Sequence, residues 1–264
     1  MLNDMPSTKK SLGQHWLQDL DSLNAMLEAA EIGLNDTVLE IGPGPGTLTE
    51  ELVHSAKRVI AVEFDEALAR ELPARVPADN LQVVSQDILT FDLTTLPPGY
   101  KVVANIPYYL TSKLLRTLCE NTNHFSKAAI LIQKEVAERV AARPGDMSLL
   151  SVSVQYYCET SLGSVVPARL FSPPPKVDSQ ILMLTFRETP LFPDIDSKLF
   201  FKVVKAGFSQ RRKTLLNSLS GGLHLDRERT TALLNAAGIV PHIRAQNLSL
   251  EDWYRLSECY NKNN

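Results

Sequence analysis

The chain has 264 residues, a formal net charge of −3, 44% apolar residues and 22% charged residues. That balance excludes a disordered or collagen-like chain, and no run approaches the ~18–20 consecutive apolar residues of a membrane span. The opening MLNDMPSTKK lacks the apolar stretch of a secretory signal, and Cys119, Cys158 and Cys259 are far apart and odd in number. Together these point to a reducing, cytoplasmic setting, with no disulfide framework and no metal-ligand set.

In chain order, strands are predicted at Thr37–Ile41, Arg58–Glu63, 81–84, Lys101–Asn105 and 128–132. Helices are predicted between and after them at 48–53, 65–72, Thr111–Glu120 and 134–142, the last closed by Pro144 and Gly145. Ser179–Phe186 alternates like a strand, and with 163–166 it could form an antiparallel edge. Beyond it the pattern turns helical, at 198–208, 212–219, Arg227–Ala236 and 250–260, punctuated by Pro190, Pro193, Gly221, Gly222, Gly238 and Pro241. Short apolar strands alternating with helices imply an α/β fold, a mainly parallel sheet with helices on both faces. The expected organisation is an α/β domain over 1–187 and a small all-α domain over 188–264.

Charge divides the same way. Residues 1–187 carry 16 Lys and Arg against 22 Asp and Glu, whereas 188–264 carry 11 against 8. Between Ser197 and Leu225 stand six basic residues, Lys198, Lys202, Lys205, Arg211, Arg212 and Lys213, and no acidic one. A local basic face permits contact with nucleic acid even in an acidic chain.

Chemistry-bearing residues collect at the ends of the predicted strands, where ligands bind on such sheets. Glu40-Ile-Gly42-Pro-Gly44-Pro-Gly46 joins the first strand to the first helix. Its glycines allow close backbone approach to a ligand, and the helix start offers free N–H donors. The G-x-G-x-G spacing departs from the dinucleotide fingerprint, which would need glycine at Thr47, and no Walker lysine follows. Glu63 ends the second strand, where a carboxylate can accept ribose hydroxyls. Asp87 follows the third and could accept from an adenine amino group. Asn105-Ile106-Pro107-Tyr108 follows the fourth. Asn105 can accept an amino N–H, the Ile106 carbonyl a second, and Tyr108 offers a face for a planar base.

The series Glu40–Gly46, Glu63, Asp87 and Asn105–Tyr108 resembles the site of S-adenosylmethionine-dependent amino-methyltransferases. Three further segments narrow the resemblance: Leu12-Gly-Gln-His-Trp-Leu17, Phe171-Ser-Pro-Pro-Pro-Lys-Val-Asp-Ser179 and Phe208-Ser-Gln-Arg-Arg-Lys-Thr-Leu215. In combination they are similar to the KsgA/Dim1 (RsmA) family of small-subunit ribosomal RNA adenine dimethyltransferases, over about residues 11–260. Trp16 stands where the family more often has Phe, and His15 where Asn is frequent.

The resemblance implies a Rossmann-like methyltransferase sheet that binds S-adenosylmethionine through His15, Leu17, Gly42, Gly44, Gly46, Glu63, Asp87 and Asn105. It implies two methyl transfers to N6 of each of two adjacent adenosines, in a hairpin loop near the 3′ end of small-subunit rRNA. Asn105, Ile106, Pro107 and Tyr108 would carry the chemistry, and Tyr108 and Phe171 would stack the extruded base. The expected partners are small-subunit (16S) rRNA and a small-subunit precursor, the protein acting in ribosome biogenesis as a monomer away from membranes. The six basic residues would contact RNA, with Arg143 and Lys176 extending that surface. Two alternatives are weighed: an Erm-type enzyme acting on large-subunit rRNA, and an assembly factor acting mainly by binding.

Overall fold

The computed structural model describes residues 5–9, 12–189 and 191–262. Pro190, and residues 1–4 and 10 of the opening segment, lie outside the described residues. The chain divides into two compact units, Met1–Ala137 with Glu159–Phe186, and Glu138–Cys158 with Arg187–Asn264. The second unit thus takes in, besides the chain from Arg187 on, a segment that the sequence pattern placed in the first.

The first unit is built on strands β1 (Trp16–Leu17), β2 (Thr37–Ile41), β3 (Arg58–Glu63), β4 (Leu81–Ser85), β5 (Lys101–Asn105), β6 (Lys127–Gln133), β7 (Cys158–Val166), β8 (Phe171–Ser172) and β9 (Ser179–Phe186). Its helices are α1 (Leu20–Ala29), α2 (Thr47–Ser55), α3 (Glu66–Arg75) and α4 (Thr111–Glu120), and α5 (Lys134–Val140) runs on from β6. Seven strands form one sheet in the order β4-β3-β2-β5-β6-β9-β7. The five strands β4, β3, β2, β5 and β6 pair in parallel, as predicted, and β9 pairs antiparallel with β6. The segment at Ser179 is therefore an inner strand, and β7 is the edge. Val38, Val59, Val103, Ala129 and Leu131 share one core cluster with Leu23, Met26 and Leu27 of α1 and Leu48 and Leu52 of α2. Their neighbours Leu39, Ile60, Val102, Ala104 and Ile130 are equally buried. A sheet buried on both faces needs continuous apolar strands, and these are what the sequence supplies.

Two differences from the predicted elements have local causes. Helix α3 runs past the predicted end at residue 72: Pro73 sits in its last turn, and the Val76 N–H still reaches the Leu72 carbonyl at 2.9 Å. Helix α1 went unpredicted; Asp19 caps it by accepting the Ser22 N–H at 2.9 Å.

The second unit is helical: α6 (Leu149–Tyr157), α7 (Ser197–Phe208), α8 (Leu215–Leu223), α9 (Arg227–Ala236) and α10 (Leu250–Lys262). They enclose a core that includes Tyr156, Phe200, Val203, Val204, Leu219 and Trp253. Helix α6 is closed at its start by reciprocal bonds between Ser148 and Ser151. Helix α8 begins three residues later than predicted. The Leu215 and Leu216 N–H groups bond the Ile243 and Pro241 carbonyls at 2.7 and 3.2 Å, which fixes the first turn there.

Candidate active site

Parallel register brings the strand ends level. Ile41 pairs with Val62 of β3 and with Ala104 of β5, and Glu63 pairs with Ser85 of β4. Gly42, Glu63 and Asn105 therefore stand side by side at one edge of the sheet, with Asp87 two residues beyond β4. A cavity of about 310 Å³ opens there, lined by Gly42, Gly44, Glu63, Asp87 and Asn105–Tyr108, together with residues of the amino-terminal motif and Phe171.

The glycine turn is held by its neighbours. Gly42, Gly44 and Gly46 all have positive φ, and a Cβ at Gly44 would lie 2.7 Å from the Trp16 ring. Glu63 is buried, and its carboxylate accepts the Gly44 N–H at 3.0 Å on one oxygen and the Asp65 N–H at 2.8 Å on the other. Burial raises its pKa above the ordinary carboxylate value, against the pull of those N–H bonds. Asp87 commits one oxygen to the Leu89 N–H at 2.9 Å. The Asn105 side chain makes no hydrogen bond to any other described residue, so both ends of its amide are available in the cavity. Tyr108 is anchored, its hydroxyl 2.9 Å from the Ser179 hydroxyl, and burial raises its pKa.

The amino-terminal motif forms one wall. Trp16 donates its indole N–H to the Pro6 carbonyl at 2.9 Å, and Lys9 pairs with Asp65 at 2.7 Å. Strand β1 pairs antiparallel with β8, Trp16 opposite Ser172 and Leu17 opposite Phe171. His15 Nδ1 lies 2.7 Å from the Pro173 carbonyl; since that oxygen only accepts, Nδ1 is the donor. The His15 ring lies 23° from parallel to Tyr108, with centroids 6.1 Å apart.

The matching family model, Ribosomal RNA adenine dimethylase, covers residues 5–262. The chain belongs to the ribosomal RNA adenine dimethylase family. Its similar relatives include the ribosomal RNA small subunit methyltransferase A of Dehalococcoides mccartyi, 44% identical over 97% of this chain and 89% of the relative. The enzyme of the same name from Bacillus cytotoxicus is 40% identical over 96% of this chain and 91% of the relative. Among solved structures, a dimethyladenosine transferase from Plasmodium falciparum superposes with a TM-score of 0.79 at 28% identity, covering 94% of this chain and 98% of that one. The 23S rRNA methyltransferase ErmE superposes with a TM-score of 0.74 at 31% identity, covering 93% and 99%.

A ribosomal RNA adenine dimethylase is an S-adenosylmethionine-dependent methyltransferase, and the cavity suits that cofactor. It combines a positive-φ glycine turn with no room for a side chain at Gly44, two carboxylates at neighbouring strand ends and an unpaired amide. His15, Gly42, Gly44, Glu63, Asp87, Asn105, Ile106, Pro107, Tyr108 and Phe171 all line it. Leu17 and Gly46 do not. The Leu17 side chain is in the core, and its carbonyl accepts the Thr47 hydroxyl at 2.9 Å. Gly46 caps α2 at φ 96°, where a Cβ would lie 2.8 Å from Leu72 and 2.9 Å from Val76. Phe171 is also a core residue, 5% exposed, and the ring stacked near Tyr108 is that of His15. Phe64, Ile88, Tyr109 and Lys113 also line the cavity and were not singled out from sequence. Phe64 and Ile88 each directly follow an identified acid, which was the available signal.

In the second unit Lys198, Lys202 and Lys205 are exposed on α7, spaced to share the face opposite buried Phe200, Val203 and Val204. Lys202 also donates to the Tyr260 hydroxyl at 2.9 Å. Arg211, Arg212 and Lys213 are exposed in the turn before α8, whereas the sequence pattern placed Arg212 and Lys213 within that helix. Arg143 and Lys176 are exposed. Among the described residues, no helix is long and apolar enough to cross a membrane.

Proposed function

We propose that this protein dimethylates N6 of two adjacent adenosines in the 3′-terminal hairpin loop of small-subunit rRNA, on a small-subunit precursor in the cytoplasm, as a monomer. The observation that carries the reading is the unpaired Asn105 amide, level with Gly42 and Glu63 and followed by Ile106-Pro107-Tyr108 in one cavity. The bound cofactor supplies an electrophilic methyl group on a sulfonium.

The chain's own residues do the rest. Glu63 accepts ribose hydroxyls on lone pairs left by its two N–H bonds, and Asp87 accepts an adenine amino N–H on its uncommitted oxygen. Asn105 Oδ1 and the Ile106 carbonyl accept the two N–H bonds of the target amine. An adenine amine is a poor nucleophile because its lone pair is delocalised into the ring. Holding both N–H bonds turns the lone pair out of the ring plane, so alignment and fixed dipoles lower the barrier without a strong general base. Tyr108, fixed through Ser179, carries the base on its ring, with Phe171 and His15 closing the slot. After one transfer the methylated, cationic amine releases one proton to water and keeps one N–H, so the same site can act again. The exposed Lys198, Lys202, Lys205, Arg211, Arg212 and Lys213 bind RNA phosphates.

The large-subunit reading rests on the likeness to ErmE. The small-subunit reading is favoured by the higher identity to the small-subunit methyltransferases and by the Phe208–Leu215 segment. An Asn105→Ala variant tests the mechanism. It is expected to lose about 10²–10³-fold in kcat, with S-adenosylmethionine and RNA binding by calorimetry largely kept. Normal turnover by that variant would contradict it.

A further inference from the structure

Directly after the anchored Tyr108 comes a second tyrosine whose ring faces outward. Tyr109 is 66% exposed although it lines the cavity. It has no hydrogen bond and no ring partner among the described residues, whereas Tyr108 has both. Its ring lies beside Gly13. A Cβ built on Gly13, at φ +63°, would lie 3.7 Å from Cδ1 and Cε1 of the ring, so one side of the ring faces that glycine. The other side is open.

Lys113 stands one turn further on. Tyr109 lies in the 3-10 turn that leads into α4, and Lys113 in the first turn of α4, so the i, i+4 spacing puts them on neighbouring positions. Lys113 also lines the cavity and is exposed. Among the described residues it is the one Lys or Arg lining the cavity, and it forms no ion pair or hydrogen bond with another of them. The cavity's own carboxylates, Glu63 and Asp87, are bonded to N–H groups at the strand ends.

We propose that Tyr109 and Lys113 hold the nucleotide that flanks the target adenosine, its base stacked on the Tyr109 ring and its phosphate paired with the Lys113 ammonium. This rests on the reading that the pocket at Asn105–Tyr108 receives a base extruded from RNA. A base cannot enter a pocket without drawing its covalent neighbour to the mouth. The mouth needs an open aromatic face and a cation there, because stacking accepts any base and the backbone is anionic. An outward-facing ring beside an uncommitted ammonium meets both requirements.

The test uses the full chain and a hairpin RNA containing the loop adenosines, with binding read by fluorescence anisotropy at several salt concentrations. A second hairpin is abasic at the nucleotide next to the target. On the intact hairpin Y109A should weaken binding by roughly 5- to 100-fold, the range of one lost base stack, and Y109F should bind like the parent chain. K113Q should reduce the salt slope by about one phosphate contact. On the abasic hairpin the parent chain and Y109A should bind equally. S-adenosylmethionine affinity, measured by calorimetry, reports that the variants fold, and Y109L keeps the packing against Gly13 while losing the aromatic face. If Y109A and Y109L bind the intact hairpin as the parent does, or weaken both hairpins alike, the proposal is overturned while the parent still methylates the RNA. If the parent methylates no adenosine in the hairpin, the pocket reading fails and this proposal with it.

Discussion

Glu40 opens the glycine motif yet does not line the cavity. It is fully buried, and neither carboxylate oxygen has a hydrogen-bond partner among the described residues. Burial pushes its pKa from 4.5 up to about 8; the Thr49 hydroxyl opposes the shift and the Glu63 carboxylate adds to it. Glu40 is therefore neutral in the folded protein at pH 7 and ionised in the unfolded chain. Between about pH 4.5 and pH 8 the unfolded state binds fewer protons, so this residue makes stability fall as pH rises. Glu40→Gln keeps the neutral shape and removes that dependence. Thermal unfolding of the two proteins should coincide near pH 4.5 and diverge toward pH 8, with the variant more stable there by on the order of a few kcal/mol. Parallel profiles would show that Glu40 is ionised in the fold. Sequence reasoning singled out Glu63, Asp87 and Asn105, which line the cavity, because each ends or closely follows a predicted strand. It could not find that Leu17 and Gly46 serve packing, since their side-chain or Cβ environment depends on α2 and α3 folding over the turn.

At the scale of elements, helix contact depends on two adjacent glycines with unequal roles. In α8 a Cβ on Gly222 would lie 2.7 Å from the backbone of Ala206 in α7, whereas one on Gly221 would meet only the Gln210 side-chain nitrogen at 3.6 Å. Gly222→Ala should destabilise the protein by about 1–3 kcal/mol through overpacking. Gly221→Ala should be neutral or stabilising by up to about 1 kcal/mol, because alanine loses less backbone entropy in a helix. Urea titrations of both variants check this, and equal effects would contradict the packing. The sequence pattern reads Gly221-Gly222 as a helix stop, and the structure runs α8 through both. Propensity weakened the helix signal there, and the close approach of α7 explains Gly222 alone. The parallel strands were legible because apolar runs bounded by turns have few other meanings. The two-residue β1 and β8 were not, since their pairing joins segments more than 150 positions apart.

At the scale of the whole molecule, the net charge of −3 conceals a basic, acid-free stretch between Ser197 and Leu225. Arg211, Arg212 and Lys213 lie exposed in a turn and carry no side-chain bond within the described residues. Replacing all three with alanine should change unfolding free energy by less than about 0.5 kcal/mol per site. It should also flatten the logarithmic salt dependence of rRNA binding by roughly 2–3. An unchanged slope would place the RNA elsewhere. The central claim is methylation of small-subunit RNA, and it is tested most directly by offering the protein methyl-labelled S-adenosylmethionine with unmethylated small and large ribosomal subunits separately. After digestion to nucleosides, mass spectrometry should find labelled N6,N6-dimethyladenosine from the small subunit alone. Dimethyladenosine from the large subunit alone, or none from either despite measurable cofactor binding, would contradict the account.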